Sequence, residues 1–399
     1  EVYNFRHRGG IMPKNVWWLT IALALFTTGN AIVLSVAVVI GESLSQDPTY
    51  STLPLLSQYI GLIIATIPIA YLMQKHSRKL GFILGNIAGI IGATLSIIGI
   101  IYHHLAYFSL GLFFTGIAIG TAKQFRFAAL EEAPKFLHAK AIGLVMSGGI
   151  AAALIGPTLA VVTQRFFTEY PFAGPFSTLV GIYVLAFILL LNIPLKKIPP
   201  EKQNHMEVKR SYKQLYSQPI LKLIAIVSAV GYALVVFTFA SIPLSMKQNH
   251  FPFPLIAIVF QCHVLGMFAP SFFTGHLIQR LGAKKIIFVG ILLLILSATI
   301  NLLGTEFYHY LLSGISVGVA WNLLLISTTQ LLPYGYQSHE RAKVQGMTDF
   351  LIYSFGALGS LGAGVLFFSL GWQLMNTVSI IFALFILSSY VVLKKHIPQ

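Results

Sequence analysis

The feature that most limits what this chain can become is a run of about twenty apolar residues, interrupted by a short polar stretch and then repeated, from one end of the sequence to the other. A backbone crossing about 30 Å of hydrocarbon must satisfy its own hydrogen bonds, which a helix of about twenty residues does and an open strand does not. Candidate helices lie near 16 to 40, 53 to 73, 81 to 101, 105 to 129, 139 to 163 and 175 to 194. Six more lie near 219 to 245, 252 to 276, 285 to 304, 307 to 332, 342 to 368 and 371 to 393. The expected fold class is therefore all-α: a polytopic membrane protein of twelve transmembrane helices. Composition argues against a soluble alternative, since 9 % of the residues are charged where a soluble domain has roughly 25 %.

A net charge of +15 raises nucleic acid as a partner, but that reading needs a basic face or motif on a soluble domain, and the sequence has none. The cations fall instead in short clusters between apolar runs. Lys75, Arg78 and Lys79, then Lys135 and Lys140, then Arg280, Lys284 and Lys285, then Arg341 and Lys343 share one side, while Arg165 and Lys247 are alone on the other. Positive charge concentrates on the cytoplasmic side of membrane proteins, so both termini are expected in the cytoplasm of a multi-pass plasma-membrane protein, the inner membrane if the source is bacterial. The single Cys262 cannot form an internal disulfide. No cleavable signal pattern precedes the first helix, and EVYNFRHRGG reads as a tail.

The longest connection, KKIPPEKQNHMEVKRSYKQ, is basic and polar, and Pro199 and Pro200 discourage a continuous helix. It divides the chain into a six-helix bundle over 1–195, a cytoplasmic linker over 196–218 and a second six-helix bundle over 219–399. A solvated linker is the main reading of that segment, with an amphipathic segment on the inner membrane surface as the alternative. An internal repeat supports the division. GIAIGTAKQ from Gly116 matches GISVGVAWN from Gly314, and AKAIG from Ala139 matches AKVQG from Ala342, in the same order. Parallel six-helix repeats place a solute site near the membrane midplane between the halves.

The segments AYLMQKHSRK from Ala70 and GHLIQRLGAKK from Gly275 also correspond, and here the chain resembles the major facilitator superfamily. That family's loop signature has the form G-x-L-x-D-R-x-G-R-K. The second copy keeps Gly275, Leu277, Arg280, Gly282, Lys284 and Lys285, with Gln279 in place of the acid. The first copy has Ala70 for the glycine and Gln74 for the acid, leaving Lys75, Arg78 and Lys79. The resemblance implies two pseudo-symmetric six-helix halves and weakens the gate usually attached to the acid. Gly148, Gly149, Gly156 and Pro157 resemble part of an antiporter motif, whose closing glycines are here Ala160 and Val161.

Ionisable groups inside a membrane are costly and therefore functional candidates. Lys123 and Arg126 in the fourth helix and Asp349 in the eleventh are expected to form a gate across the halves, with protonation of Asp349 as a route to coupling. His263 in the eighth lies about 16 Å deep at 1.5 Å per residue. Asn30, Gln58, Gln124, Gln261 and Asn322 supply uncharged donors and acceptors for a cavity. The same groups serve equally to glue helices together. Trp321, Tyr59 and Tyr232 suit a ring-bearing solute or simple packing. Glu131 and Glu132 end the fourth helix where the family often keeps an acid facing the 2-3 loop, with Arg78 as partner, and Arg280 is its counterpart in the second half. The adjacent His103 and His104 are too few for a metal site.

The function expected is secondary transport of a small organic solute by alternating access, proton-coupled, with export ahead of import. Uptake of a metal chelate or other anionic nutrient is the alternative that Lys123, Arg126 and His263 suggest. A non-transporting receptor or scaffold stands in another class. No catalytic constellation such as HExxH is present, so an enzyme is not expected, nor a cofactor or bound metal. The partners expected are the solute, protons and lipid, with the chain acting as a monomer.

Overall fold

In a computed structural model of the chain, residues 12–134, 137–195, 210–337 and 340–396 are described. Fourteen α-helices are found among them. The first half holds α1 (Lys14–Leu44), α2 (Leu53–Lys75), α3 (Arg78–Ile101), α4 (Leu105–Ala122), α5 (Phe125–Glu132), α6 (His138–Thr163) and α7 (Ala173–Asn192). The second holds α8 (Tyr212–Ser217), α9 (Pro219–Gln248), α10 (Phe253–Phe268), α11 (Ser271–Leu281), α12 (Ala283–Leu303), α13 (Phe307–Leu331) and α14 (Arg341–Leu393). Ten helical stretches are long and apolar enough to cross a membrane, and eleven if the bent pair α10 and α11 is one crossing.

A count of twelve is consistent with these stretches if α14 makes two crossings. Its 53 residues would run about 80 Å at 1.5 Å per residue, far beyond a 30 Å core. At Gly371 the backbone turns through φ 76° and ψ 172°, a conformation that costs a residue without a Cβ least. The two arms of α14 on either side of Gly371 fit the eleventh and twelfth spans expected from the sequence.

The repeated glycines explain the helix pairing. A Cβ on Gly116 would stand 2.0 Å from the carbonyl oxygen of Gln58, and one on Gly318 would stand 2.3 Å from that of His263. Each copy thus lets the fourth helix of its half lie against the second at backbone distance. One apolar core draws on residues from Val16 to Ile193 and a second on residues from Leu215 to Tyr390. A third mixes the two, including Tyr59, Phe237, Phe260 and Ala357.

Three expectations change, the first being the fourth span, read as one helix over 105–129, which breaks between Ala122 and Phe125. The eighth span, read as one helix over 252–276, breaks between Phe268 and Ser271 with a 42° bend and continues to Leu281. Part of the connection expected to be linker is folded. Ser211 caps α8 through a reciprocal bond with Gln214, and Glu340 accepts from the Nε, Nη2 and backbone nitrogen of Arg210 and from the backbone nitrogen of Gln337. Residues 196–209, Lys135, and the side chains of Ala70, Gln74, Ala139, Lys140 and Arg341 lie outside what is described.

Candidate functional site

Between the halves, a short break in the fourth span sets the position of its cations. The chain leaves α4 at Ala122 and enters α5 at Phe125, so Lys123 caps a helix C-terminus and Arg126 sits in the first turn of the next. A cation at that C-terminus is favoured by the exposed carbonyls and the helix dipole. Facing them, Asp349, Tyr353 and Gly356 are spaced four and three residues apart on α14, which places them on one stripe.

Four aromatic rings from four helices meet here. The hydroxyls of Tyr59 on α2 and Tyr232 on α9 lie 3.1 Å apart, across the halves. The Tyr232 ring lies 4.5 Å from the Trp321 ring on α13 and 6.1 Å, edge-on, from Tyr353. The missing side chain of Gly356 makes room, because a Cβ there would approach the Tyr232 ring to 2.7 Å. Lys123 Nζ stands 5.5 Å from the centre of the Tyr353 ring, within the reach of a cation–π attraction. Arg126 Nη2 lies 3.5 Å from Asp349 Oδ2, and the guanidinium is 4.7 Å from the Phe127 ring. Arg126 Nε is buried and meets no acceptor among the described residues.

Access is one-sided. The side chains of Arg126 and Asp349 are 41 % and 37 % exposed although they lie between the halves, and Lys123 is exposed as well. The face opposite the basic loops is closed. There Lys247 pairs with Glu42 of the other half, and Phe172 meets Phe253 edge-on at 5.5 Å. The turn at 48–52 packs onto α14, where Ser360 Oγ donates to the Thr52 carbonyl over 3.5 Å. The hydroxyls of Ser51 and Thr52 are buried in that seal with no hydrogen-bond partner among the described residues. An exposed pair such as Arg126–Asp349 contributes about 0 to 1 kcal/mol, so it places charge in the space between the halves more than it holds them together.

The remaining residues singled out in the sequence fall into separate networks. Gln58 Nε2 donates to Asn30 Oδ1 at 3.1 Å and to Thr115 Oγ1 at 3.3 Å, all within the first half. Gln124 accepts from Arg78 Nη1 at 3.2 Å, and Arg78 also pairs with Glu131 at 2.6 Å. Glu132 turns the other way, buried, and accepts from Asn15 Nδ2 at 2.8 Å. Asn322 donates to the Met267 carbonyl and to Ser271 Oγ and accepts from Thr274 Oγ1. Its side chain is spent on the bend between α10 and α11. His263 is buried, and its Nδ1 donates to the Gly314 carbonyl at 3.0 Å. Gln261 Nε2 crosses the halves to the Leu154 carbonyl at 3.0 Å, and Arg280 is exposed. The structure therefore brings together Tyr59, Tyr232, Trp321, Lys123, Arg126 and Asp349, and does not bring Gln124, His263 and Asn322 to one place.

Sequence reasoning missed Tyr353, Glu42, Arg210 and Glu340. Tyr353 carried a signal, since it follows Asp349 by four residues on the same helix. So did Glu42, an acid ending the first span on the side where Lys247 ends the seventh. Arg210 and Glu340 carried none, because nothing in their spacing ties the linker to the eleventh span.

Comparison with known proteins supplies the relations. The model of the Major Facilitator Superfamily matches residues 18–360. The chain is 33 % identical over 365 residues to the riboflavin transporter RfnT of Brucella anthropi, covering 91 % of each. Among solved structures it resembles a POT family transporter in complex with 5-aminolevulinic acid, at TM-score 0.75 and 14 % identity, over 96 % of this chain and 97 % of that one. It also resembles a bacterial homologue of the human lysosomal transporter Spinster in an inward-facing, occupied conformation, at TM-score 0.71 and 14 % identity, over 95 % and 96 %.

Proposed function

The chain belongs to the Major Facilitator Superfamily, and we propose that within it this protein is a proton-coupled transporter of riboflavin or a closely related flat heteroaromatic solute. The observation that carries the reading is the ring cluster of Tyr59, Tyr232, Trp321 and Tyr353 between the halves. Flat faces of this kind hold a fused ring by stacking, and kinship with RfnT names the ring. The halves over 1–195 and 219–399 rock about this layer, joined by the linker over 196–218, in the manner of parallel-repeat transporters. The protein works as a monomer in a bacterial inner membrane. Its basic face is cytoplasmic, which makes the conformation closed by Glu42 and Lys247 the inward-facing one.

Asp349 is the coupling carboxylate in this reading. It is the acid within reach of both Lys123 and Arg126, so its charge governs how strongly the eleventh span holds the fourth. Neutralising it by protonation loosens that hold and shifts the population of states. Riboflavin flux into proteoliposomes tests the reading. Asp349→Asn should lose accumulation driven by a proton gradient while keeping riboflavin exchange at near wild-type rate. Loading flavin on either side reads the direction of net flux. Concentrative transport by Asp349→Asn would remove the carboxylate from coupling, and absence of flavin flux in the wild type would remove the substrate.

A further inference from the structure

The site between the halves is rich in donors and poor in acceptors. Lys123 and Arg126 bring two positive charges, and Asp349 answers one of them. Lys123 Nζ donates to no oxygen among the described residues and leans on the Tyr353 ring instead. Arg126 Nε is buried without an acceptor, although the same guanidinium reaches Asp349 through Nη2. Unanswered donors beside a ring cluster are costly when water is excluded. They become favourable when a solute supplies the missing oxygens.

We infer that Lys123, with the Arg126 guanidinium adding positive charge beside it, reads an acceptor-rich edge of the solute while the four rings read its faces. The ligand class is a flat heterocycle bearing two carbonyl oxygens along one edge, uncharged or negative overall. The excess positive charge excludes flat cations, whose faces the rings alone would accept. This inference rests on the ring site proposed above and adds to it the group that selects by charge. Lys123 reaches the site from the helix break at Ala122, so the lysine comes from one half while Tyr232, Trp321 and Tyr353 come from the other. A solute held by both draws the fourth span toward the second half.

Three flat fluorescent probes separate the two contributions in purified, full-length protein: riboflavin, its 5′-phosphate ester and a cationic acridine dye. Wild type should bind riboflavin more tightly than the acridine. A hydrogen bond from a charged donor accounts for about a tenfold change in affinity or more, so Lys123→Gln should weaken riboflavin by at least that factor and strengthen the acridine. Lys123→Arg should keep the preference for riboflavin. Tyr232→Ala should weaken riboflavin and the acridine both, because each loses a stacking face. Equal binding of both probes by wild type and Lys123→Gln, in variants that melt as the wild type does, overturns the inference while leaving the ring site standing. If wild type binds no riboflavin, the flavin reading falls by itself, and the ester against the acridine still decides whether Lys123 selects by charge. Wild type that binds none of the three overturns both.

Discussion

At the scale of single residues, the most tightly held charge is outside the membrane layer. Glu340 has a fully buried side chain and accepts four hydrogen bonds, three of them from Arg210. The Arg210 guanidinium holds its carboxyl down to about 2, against roughly 4.3 for an unperturbed glutamate. A depressed carboxylate stabilises the fold above its unfolded value, and that stabilisation is lost as pH falls through the folded one. Glu340→Gln should therefore melt below wild type at pH 7, with the gap in melting temperature narrowing as the pH is lowered from about 5 toward 2. A gap independent of pH would mean that packing, and not charge, holds the linker end. Side-chain type in the sequence does not reveal such partnerships. Asn322 and Gln124 were polar, central and repeat-related, which suits a cavity. The structure engages one with the bend beside it and the other with Arg78, because a polar group in a membrane protein bonds to whatever its neighbouring helix presents.

At the scale of elements, the all-helical character and the order of the apolar runs were readable, since a twenty-residue apolar run has few alternatives in lipid. Breaks were not. Pro68, Pro157 and Pro243 lie inside continuous helices, while the chain bends by 42° at Pro270. What distinguishes Pro270 is Asn322, which satisfies the Met267 carbonyl freed by the break and clasps Ser271 and Thr274 beyond it. Asn322→Leu removes all three bonds and leaves the half-buried Met267 carbonyl without this donor, at about 1 to 3 kcal/mol where no replacement is found. The expected result is a melting temperature lower by several degrees in detergent, with Gln261→Leu, which removes a single exposed bond, changing it little. Equal effects would show that the bend needs no staple. The break at Lys123 was equally hidden, and with it the reason Lys123 points between the halves instead of toward the headgroups.

At the scale of the whole molecule, the division into halves was legible from the repeat, and the identity of the face now closed was not. Closure depends on contacts between residues far apart in the chain, such as Glu42 with Lys247 and Phe172 with Phe253, for which one sequence offers no pairing rule. The backbones come close at Gly364, where a Cβ would stand 2.7 Å from Thr52 Oγ1 and 2.8 Å from the Thr49 carbonyl. Gly364→Leu should hold that face open. Ser360→Cys, buried in the seal, placed in a Cys262→Ser background, should then react with a membrane-impermeant thiol reagent added from outside several-fold faster than without the Gly364 change. Unchanged labelling would mean that the seal lies elsewhere.

The unpartnered hydroxyls of Ser51 and Thr52 give that seal a dependence on the solvent itself. When the turn lifts from α14, both hydroxyls gain water, so water acts as a ligand of the open form and is released on closure. A solute such as sucrose, excluded from protein surfaces, favours the state with less surface to hydrate. Osmotic stress should therefore slow labelling of Ser360→Cys in proportion to the water taken up on opening. Labelling that sucrose leaves unchanged would show that this face opens without wetting Ser51 and Thr52.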